Sequence, residues 1–228
     1  MTELSKLPTC VGFIMDGNRR WAKERGEATL LGHQAGEAKF YEVAQWVKEA
    51  TIPHAVFYAF STENWFRDKV EVAYLQELFL SFTKQMLGEV HDWQCRIKVV
   101  GDLSSFTPEL QAAIAELESV SVVYTKTTLW VALSYGGRAE IVAAVNKAIA
   151  NGESVDEETF SKYLWSAGMP DPDIIIRTGG DQRLSNFLPW QAVYSELMFT
   201  STYWPAFTKA EFTRMLTQYG DRQRRFGS

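Results

Sequence analysis

Four short stretches of the sequence carry side chains that could do chemistry together. The first is Asp16-Gly17-Asn18-Arg19-Arg20-Trp21. Gly17 permits close backbone approach, Asn18 can cap a following helix, and the N–H groups beyond it would point at an anion. Asp16 is placed to hold a divalent cation between phosphate oxygens. The competing structural reading is a capping turn with two solvated arginines. The second stretch, Ser61-Thr62-Glu63-Asn64-Trp65-Phe66-Arg67, crowds hydroxyls, an amide, a carboxylate and a guanidinium into one loop. Caps and core packing account for Ser61, Thr62 and Trp65 but leave Asn64 and Arg67 without a reason.

The third, Arg177-Thr178-Gly179-Gly180-Asp181-Gln182-Arg183-Leu184-Ser185, combines arginines, glycines and a serine in the manner of a diphosphate clamp. Guanidinium forks match phosphate oxygens bidentately. The fourth is Glu196, a carboxylate in an apolar run, costly unless paired or metal-bound. Neither a Gly-Lys-Ser/Thr loop nor a Gly-x-Gly-x-x-Gly fingerprint occurs, which removes the common nucleotide sites.

The elements that must position these residues alternate along the chain. Strands are predicted at Cys10–Met15, His54–Phe60, Arg96–Gly101, Thr128–Ser134, Asp173–Arg177 and Ala192–Phe199. Most lack a period of two, as expected of strands buried on both faces. Helices are predicted at Gln34–Ala50, Val70–Trp93, Pro108–Ser119, Ala139–Asn151, Asp156–Ala167 and Thr208–Tyr219. The expected fold is α/β: one domain over residues 1–228, with a six-stranded, mainly parallel sheet and helices on both faces. In such sheets ligands bind beyond the carboxyl ends of the strands. The first three stretches each follow a strand.

Composition bounds the partners. The 228 residues carry a net charge of −5, which argues against a general nucleic-acid binder. Two cysteines are too few for a disulfide framework, and no run is long enough to cross a bilayer. A reducing, cytoplasmic setting is the expectation. The aromatic share of 14% fits a well-filled core and is also compatible with a channel for a greasy substrate.

Taken together the motifs resemble the cis-prenyltransferases, in the pattern of bacterial undecaprenyl diphosphate synthases. The resemblance rests on Ile14–Ala22, Gly32-His33-Gln34-Ala35-Gly36, Tyr58–Trp65, Tyr135-Gly136-Gly137-Arg138, Ile176–Gly180, Arg183–Phe187 and Arg224-Arg225-Phe226-Gly227, in order. It implies Mg2+-dependent condensation of isopentenyl diphosphate onto an allylic diphosphate such as farnesyl diphosphate, giving the lipid carrier for cell-wall synthesis. Asp16 would be catalytic and hold Mg2+, with Glu196 contributing to a metal site and Asn64 aiding proton removal. Gly17, Asn18, Arg19, Arg20, Trp21 and His33 would bind the allylic diphosphate. Ser61, Thr62, Glu63, Trp65 and Arg67 would line the reacting ends, and Arg177, Arg183, Leu184 and Ser185 would take isopentenyl diphosphate. Arg225 and Gly227 would reach the diphosphate across a homodimer interface, with peripheral membrane contact for product release. The alternative implied is a non-catalytic accessory subunit of a heteromeric enzyme. Thr29 stands where many members have arginine, and Arg19 where they often have glycine.

Overall fold

A computed structural model describes residues 7–221. Its sheet has six strands: β1 (Cys10–Ile14), β2 (His54–Tyr58), β3 (Arg96–Val100), β4 (Thr128–Ala132), β5 (Ile174–Arg177) and β6 (Glu196–Phe199). They run in the order β3-β4-β2-β1-β5-β6, and every pair is parallel. The helices are α1 (Asn18–Glu24), α2 (Thr29–Glu49), α3 (Lys69–Trp93), α4 (Pro108–Ser121), α5 (Gly137–Ala150), α6 (Glu157–Ser161) and α7 (Lys209–Asp221). From β1 the chain turns one way to β2 and later the other way to β5. The carboxyl ends of β1 and β5 therefore flank the crevice where such sheets bind ligands. Ile14 pairs with Arg177 there.

Alternation along the strands sorts the core. Val11, Phe13, Phe57, Val131 and Ile176 face one layer, packed against Phe40 and Val47 of α2, Met86 of α3, Leu117 of α4 and Phe212 of α7. Cys10, Ile14, Val56, Trp130 and Ile175 face the other, where Phe187, Leu188 and Ala192 cover them. That second face is covered largely by irregular chain, with α5 and α6 contributing a smaller cluster around Ala144, Phe160 and Leu164.

Three predicted elements have shifted ends with physical causes. The final strand begins at Glu196, not Ala192, because Ala192 and Ser195 donate their N–H groups into local turns. The helix opening at Asp156 stops at Ser161, since the Ser166 N–H and hydroxyl both turn to the buried Glu140 carboxylate. Conversely α2 starts at Thr29, ahead of the predicted Gln34. Its early Gly32 lowers helix propensity, but a Cβ there would collide with the Asn18 backbone carbonyl. Gly32 thus permits α1 to lie close against α2. Gly32→Ala is expected to destabilise the protein by about 1–3 kcal/mol. Urea unfolding would check this, and an unchanged midpoint would contradict it.

Candidate active site

The site grows from the end of β1. Gly17 takes φ 108°, and a Cβ there would sit 2.6 Å from the Tyr203 ring, so only glycine turns the chain into α1. Asn18 is the first residue of that helix, not its cap; its side chain packs against Gly36 of α2, with Oδ1 buried and unpaired. Asp16, immediately before the turn, meets two arginines. Arg177 Nη2 donates to its Oδ2 at 2.8 Å, and Arg20 Nη2 lies 3.1 Å from its Oδ1.

Arg177 is the hub. Its side chain is 4% exposed, and Nη1 donates to the Arg183 carbonyl at 2.5 Å and to Ser185 Oγ at 2.7 Å. Its Nε has no partner, leaving one donor of a buried cation unused. Asp181 stands against Arg20, Arg177 and Arg183 at 3.4, 3.7 and 2.9 Å. Two carboxylates and three guanidiniums thus form one network across the β1–β5 crevice.

Burial works against ionisation of Asp16, but the Arg177 hydrogen bond and charge, with Arg20, outweigh it and hold the carboxyl below its ordinary range. A lowered pKa means the ionised pair stabilises the fold above the unfolded value, about 3.9, and ceases to do so as pH falls through the folded value. The stability difference between wild type and Asp16→Asn is therefore expected to be constant above about pH 5 and to shrink below about pH 4. Thermal unfolding across that range would show it; a difference that persists at the acid end would contradict it.

On the other side of the cleft, His33 Nε2 lies 3.1 Å from Glu71 Oε1, and Arg67 Nη1 donates to the same oxygen at 3.0 Å. Burial dominates at His33 and lowers its pKa, opposed by Glu71 and reinforced by the charges of Arg67 and Arg19. The imidazole is accordingly neutral at neutral pH. Between the two sides, Asn64 Oδ1 accepts from the Ser61 N–H at 3.1 Å, closing the short 3-10 turn Thr62–Phe66. Glu63 accepts from Asn186 at 3.0 Å and from Thr62 at 3.2 Å.

Asp16, Gly17, Asn18, Arg19, Arg20, His33, Ser61, Glu63, Asn64, Arg67, Arg177, Arg183 and Ser185 all line one cleft of about 1180 Å3, as does Thr29. Other predicted site residues stand elsewhere. Trp21 stacks under the Arg25 guanidinium at 4.0 Å, and Thr62 turns its hydroxyl to Glu63. Trp65 packs on Phe60 and Phe106 and donates to Ser134 Oγ at 2.9 Å, while Leu184 packs against the second core face.

Glu196 requires a correction. In the parallel register it pairs with Ile174, at the start of β6, about 10 Å along the strands from the carboxyl ends. It is only half-buried on an edge strand, so the premise of a carboxylate sealed in an apolar strand fails. The structure does not bring it to Asp16. Arg225 and Gly227 lie outside the described residues. Sequence reasoning passed over Asp181 and Glu71. Asp181 sat inside the arginine-rich stretch, where a carboxylate between cations was a readable signal; Glu71 gave none, being one of several acids on a helix.

Beside the cleft lies a narrow apolar cavity of about 100 Å3 between the sheet and α2, α3 and α4. Met15, Asn18, His33, Ala59 and Leu75 line both spaces, so the two adjoin. Deeper walls are Phe40, Phe79, Phe82, Ile114, Leu117 and Leu133. Trp130 points to the opposite sheet face and donates to His54 at 3.3 Å.

A cationic crevice leading to a hydrocarbon-lined tunnel is a site for an amphiphile with an anionic head. The profile of a family described as putative undecaprenyl diphosphate synthase matches residues 14–227. The chain belongs to the cis-prenyltransferase family. It is 40% identical to an isoprenyl transferase of Thermotoga maritima, with 97% of each chain covered. It is 43% identical to a tritrans,polycis-undecaprenyl-diphosphate synthase (geranylgeranyl-diphosphate specific) of Pyrococcus abyssi, covering 97% of this chain and 87% of that one. Among solved structures, lavandulyl diphosphate synthase from Lavandula x intermedia, in complex with dimethylallyl diphosphate, superposes with a TM-score of 0.92 at 33% identity, covering 99% of this chain and 100% of that chain. A probable undecaprenyl diphosphate synthase from Campylobacter jejuni gives 0.83 at 30% identity, covering 98% and 99%. This prenyltransferase has no helix among the described residues long and apolar enough to cross a membrane.

Proposed function

We propose that this prenyltransferase condenses isopentenyl diphosphate sequentially onto an allylic diphosphate, farnesyl diphosphate among the primers accepted. Each cycle breaks the allylic C–O bond, forms a C–C bond, releases diphosphate and a proton, and leaves a cis double bond. The product is a polyprenyl diphosphate of the kind that serves as lipid carrier in cell-wall synthesis, handed to the bilayer by peripheral contact. The observation that carries this reading is the single cleft in which the Asp16–Arg20 and Arg177–Arg183–Ser185 groups converge above one apolar tunnel.

In this reading the allylic diphosphate lies against Arg19, Arg20 and His33 with its hydrocarbon in the tunnel. Isopentenyl diphosphate lies against Arg183 and Ser185, with the buried Arg177 holding both from behind. Asn64, its oxygen committed to the Ser61 N–H, offers an N–H donor and orients the proton acceptor instead of serving as a base. Asp16 is the residue that would hold Mg2+. Its carboxylate lines the cleft beside the Arg20 and Arg177 guanidiniums, and a hard oxygen donor suits that ion. Bound there, the ion neutralises charge on the leaving diphosphate.

The test is purified protein with farnesyl diphosphate, labelled isopentenyl diphosphate and Mg2+, with and without chelator. Elongated products that disappear on chelation are expected; no elongation with any allylic primer would sink the proposal. A homodimer is part of the same reading. It is supported by the open edge strand β6, with Val193 69% and Tyr194 72% exposed just before it. Sedimentation at a monomer mass of 25.9 kDa throughout the micromolar range would overturn that part.

A further inference from the structure

The tunnel wall holds one ionisable group that nothing in the diphosphate machinery uses. Helix α2 turns His33, Gly36, Glu37 and Phe40 toward the cavity, the spacing of one helical face. His33 belongs to both mouth and tunnel. Glu37, four residues on, lies about 6 Å further along the helix axis, where the first units of a bound hydrocarbon must pass. The other polar wall groups differ from it. His33 is held by Glu71, the Thr83 hydroxyl donates to the Phe79 carbonyl at 2.7 Å, and Asn18 carries no charge. Among the described residues Glu37 makes no hydrogen bond or ion pair, and it faces the apolar side chains of Leu75, Phe79 and Phe82 across the cavity.

The titratable groups around it supply no counter-charge. On α2 they are His33, neutral as argued, and Tyr41, one turn further on; on α3 they are Tyr74 and Glu89. Burial raises the Tyr41 phenol, with Glu37 and Glu89 adding to it, and burial with Glu37 raises that of Tyr74. Loss of solvent also raises the Glu37 carboxyl itself. No lysine or arginine among the described residues lines this tunnel. A carboxylate there keeps its charge only while water reaches it, and a hydrocarbon chain sliding past removes that water.

We propose that Glu37 tunes primer preference and product length: its carboxylate disfavours hydrocarbon beside it, so shorter allylic primers are favoured and the polyprenyl chain stops growing earlier than it would without that charge. This deepens the reading given above and rests on it. Relatives that share the fold carry names citing different allylic diphosphates, dimethylallyl in one and geranylgeranyl in another. A clamp for the diphosphate alone does not distinguish these, whereas a polar group on the tunnel wall does.

The experiment compares full-length wild type, Glu37→Gln and Glu37→Ala with dimethylallyl, geranyl, farnesyl and geranylgeranyl diphosphates and labelled isopentenyl diphosphate, at about pH 5 and about pH 8. Both variants are expected to make longer products. Their kcat/KM for farnesyl relative to dimethylallyl diphosphate should rise by about tenfold, within the range that single apolar contacts give. Lower pH should lengthen wild-type products, through protonation of Glu37, and leave those of Glu37→Gln unchanged. Unchanged lengths and primer ratios in Glu37→Gln would overturn the proposal. So would lengthening in Glu37→Ala alone, which would mark volume and not charge as the determinant. If wild type elongates no primer, the fault lies with the function proposed above. The inference is then read from calorimetric binding of unreactive farnesyl and dimethylallyl thiodiphosphates. A farnesyl preference that rises in Glu37→Gln supports it, and an equal ratio in both proteins overturns it.

Discussion

Asp16→Ala is expected to lower turnover by at least about 10³-fold while the protein stays folded. Asp16, just past the end of β1, meets both Arg20 and Arg177, and in the proposed reaction it would hold Mg2+ beside the leaving diphosphate. Ionisation of an allylic C–O bond builds negative charge on that group, so loss of the metal site falls on kcat more than on KM. The fold should survive because the backbone contacts of residue 16 remain: its carbonyl accepts from Thr178 Oγ1 and from the Trp204 N–H. Asp16→Asn keeps the shape without the charge and should lose nearly as much. Single-turnover assays over a Mg2+ titration decide the matter. Activity near wild type with unchanged Mg2+ dependence would refute the role.

Arg177→Lys carries the second large effect. The guanidinium reaches Asp16, Ser185 and the Arg183 carbonyl from one nearly solvent-free position. An ammonium is a compact charge that cannot hold those three acceptors in their planar arrangement. The strand end that shapes the isopentenyl diphosphate side should therefore loosen, and Ser185 or the Arg183 carbonyl should lose its guanidinium donor. Losing one charge-assisted hydrogen bond predicts an isopentenyl diphosphate KM about 10- to 100-fold higher. The KM for the allylic substrate should change less. Initial-rate kinetics with each substrate varied would show the split. Equal rises in both constants would mean that Arg177 only supports the fold.

Much of this was legible in the sequence because the informative residues follow strands. Asp16 and Arg177 could be assigned to strand ends from apolar runs alone, and the β1–β5 pairing then brings them together. The strand count and parallel sense followed from the alternation of strands and helices. Some residues answered to local hydrogen bonding that sequence does not display. Asn64 looked catalytic by type, yet its oxygen closes a turn. Trp65 looked like a substrate contact, yet its indole is spent on Ser134 and two phenylalanines. Glu196 misled for a geometric reason: position within a strand fixes which end of the sheet a residue reaches, and a four-residue strand with uncertain start leaves that open. Glu37 was invisible for the opposite reason. Nothing in an amphipathic helix says that one of its acids lies over a tunnel; only the packing of α3 and α4 across from it shows that. The aromatic excess is now divided, with Phe40, Phe79, Phe82 and Trp204 lining the tunnel and most of the rest filling the core.

The central claim is that one continuous space takes the diphosphate at its cationic mouth and the hydrocarbon in its apolar depth. A crystal structure of the protein with Mg2+ and an unreactive farnesyl thiodiphosphate tests it most directly. The account predicts the diphosphate beside Asp16, Arg19 and Arg20, with the farnesyl tail running past Ala59 and Leu75 between α2 and α3. A tail lying outside that tunnel, or a diphosphate seated away from Asp16, would contradict it.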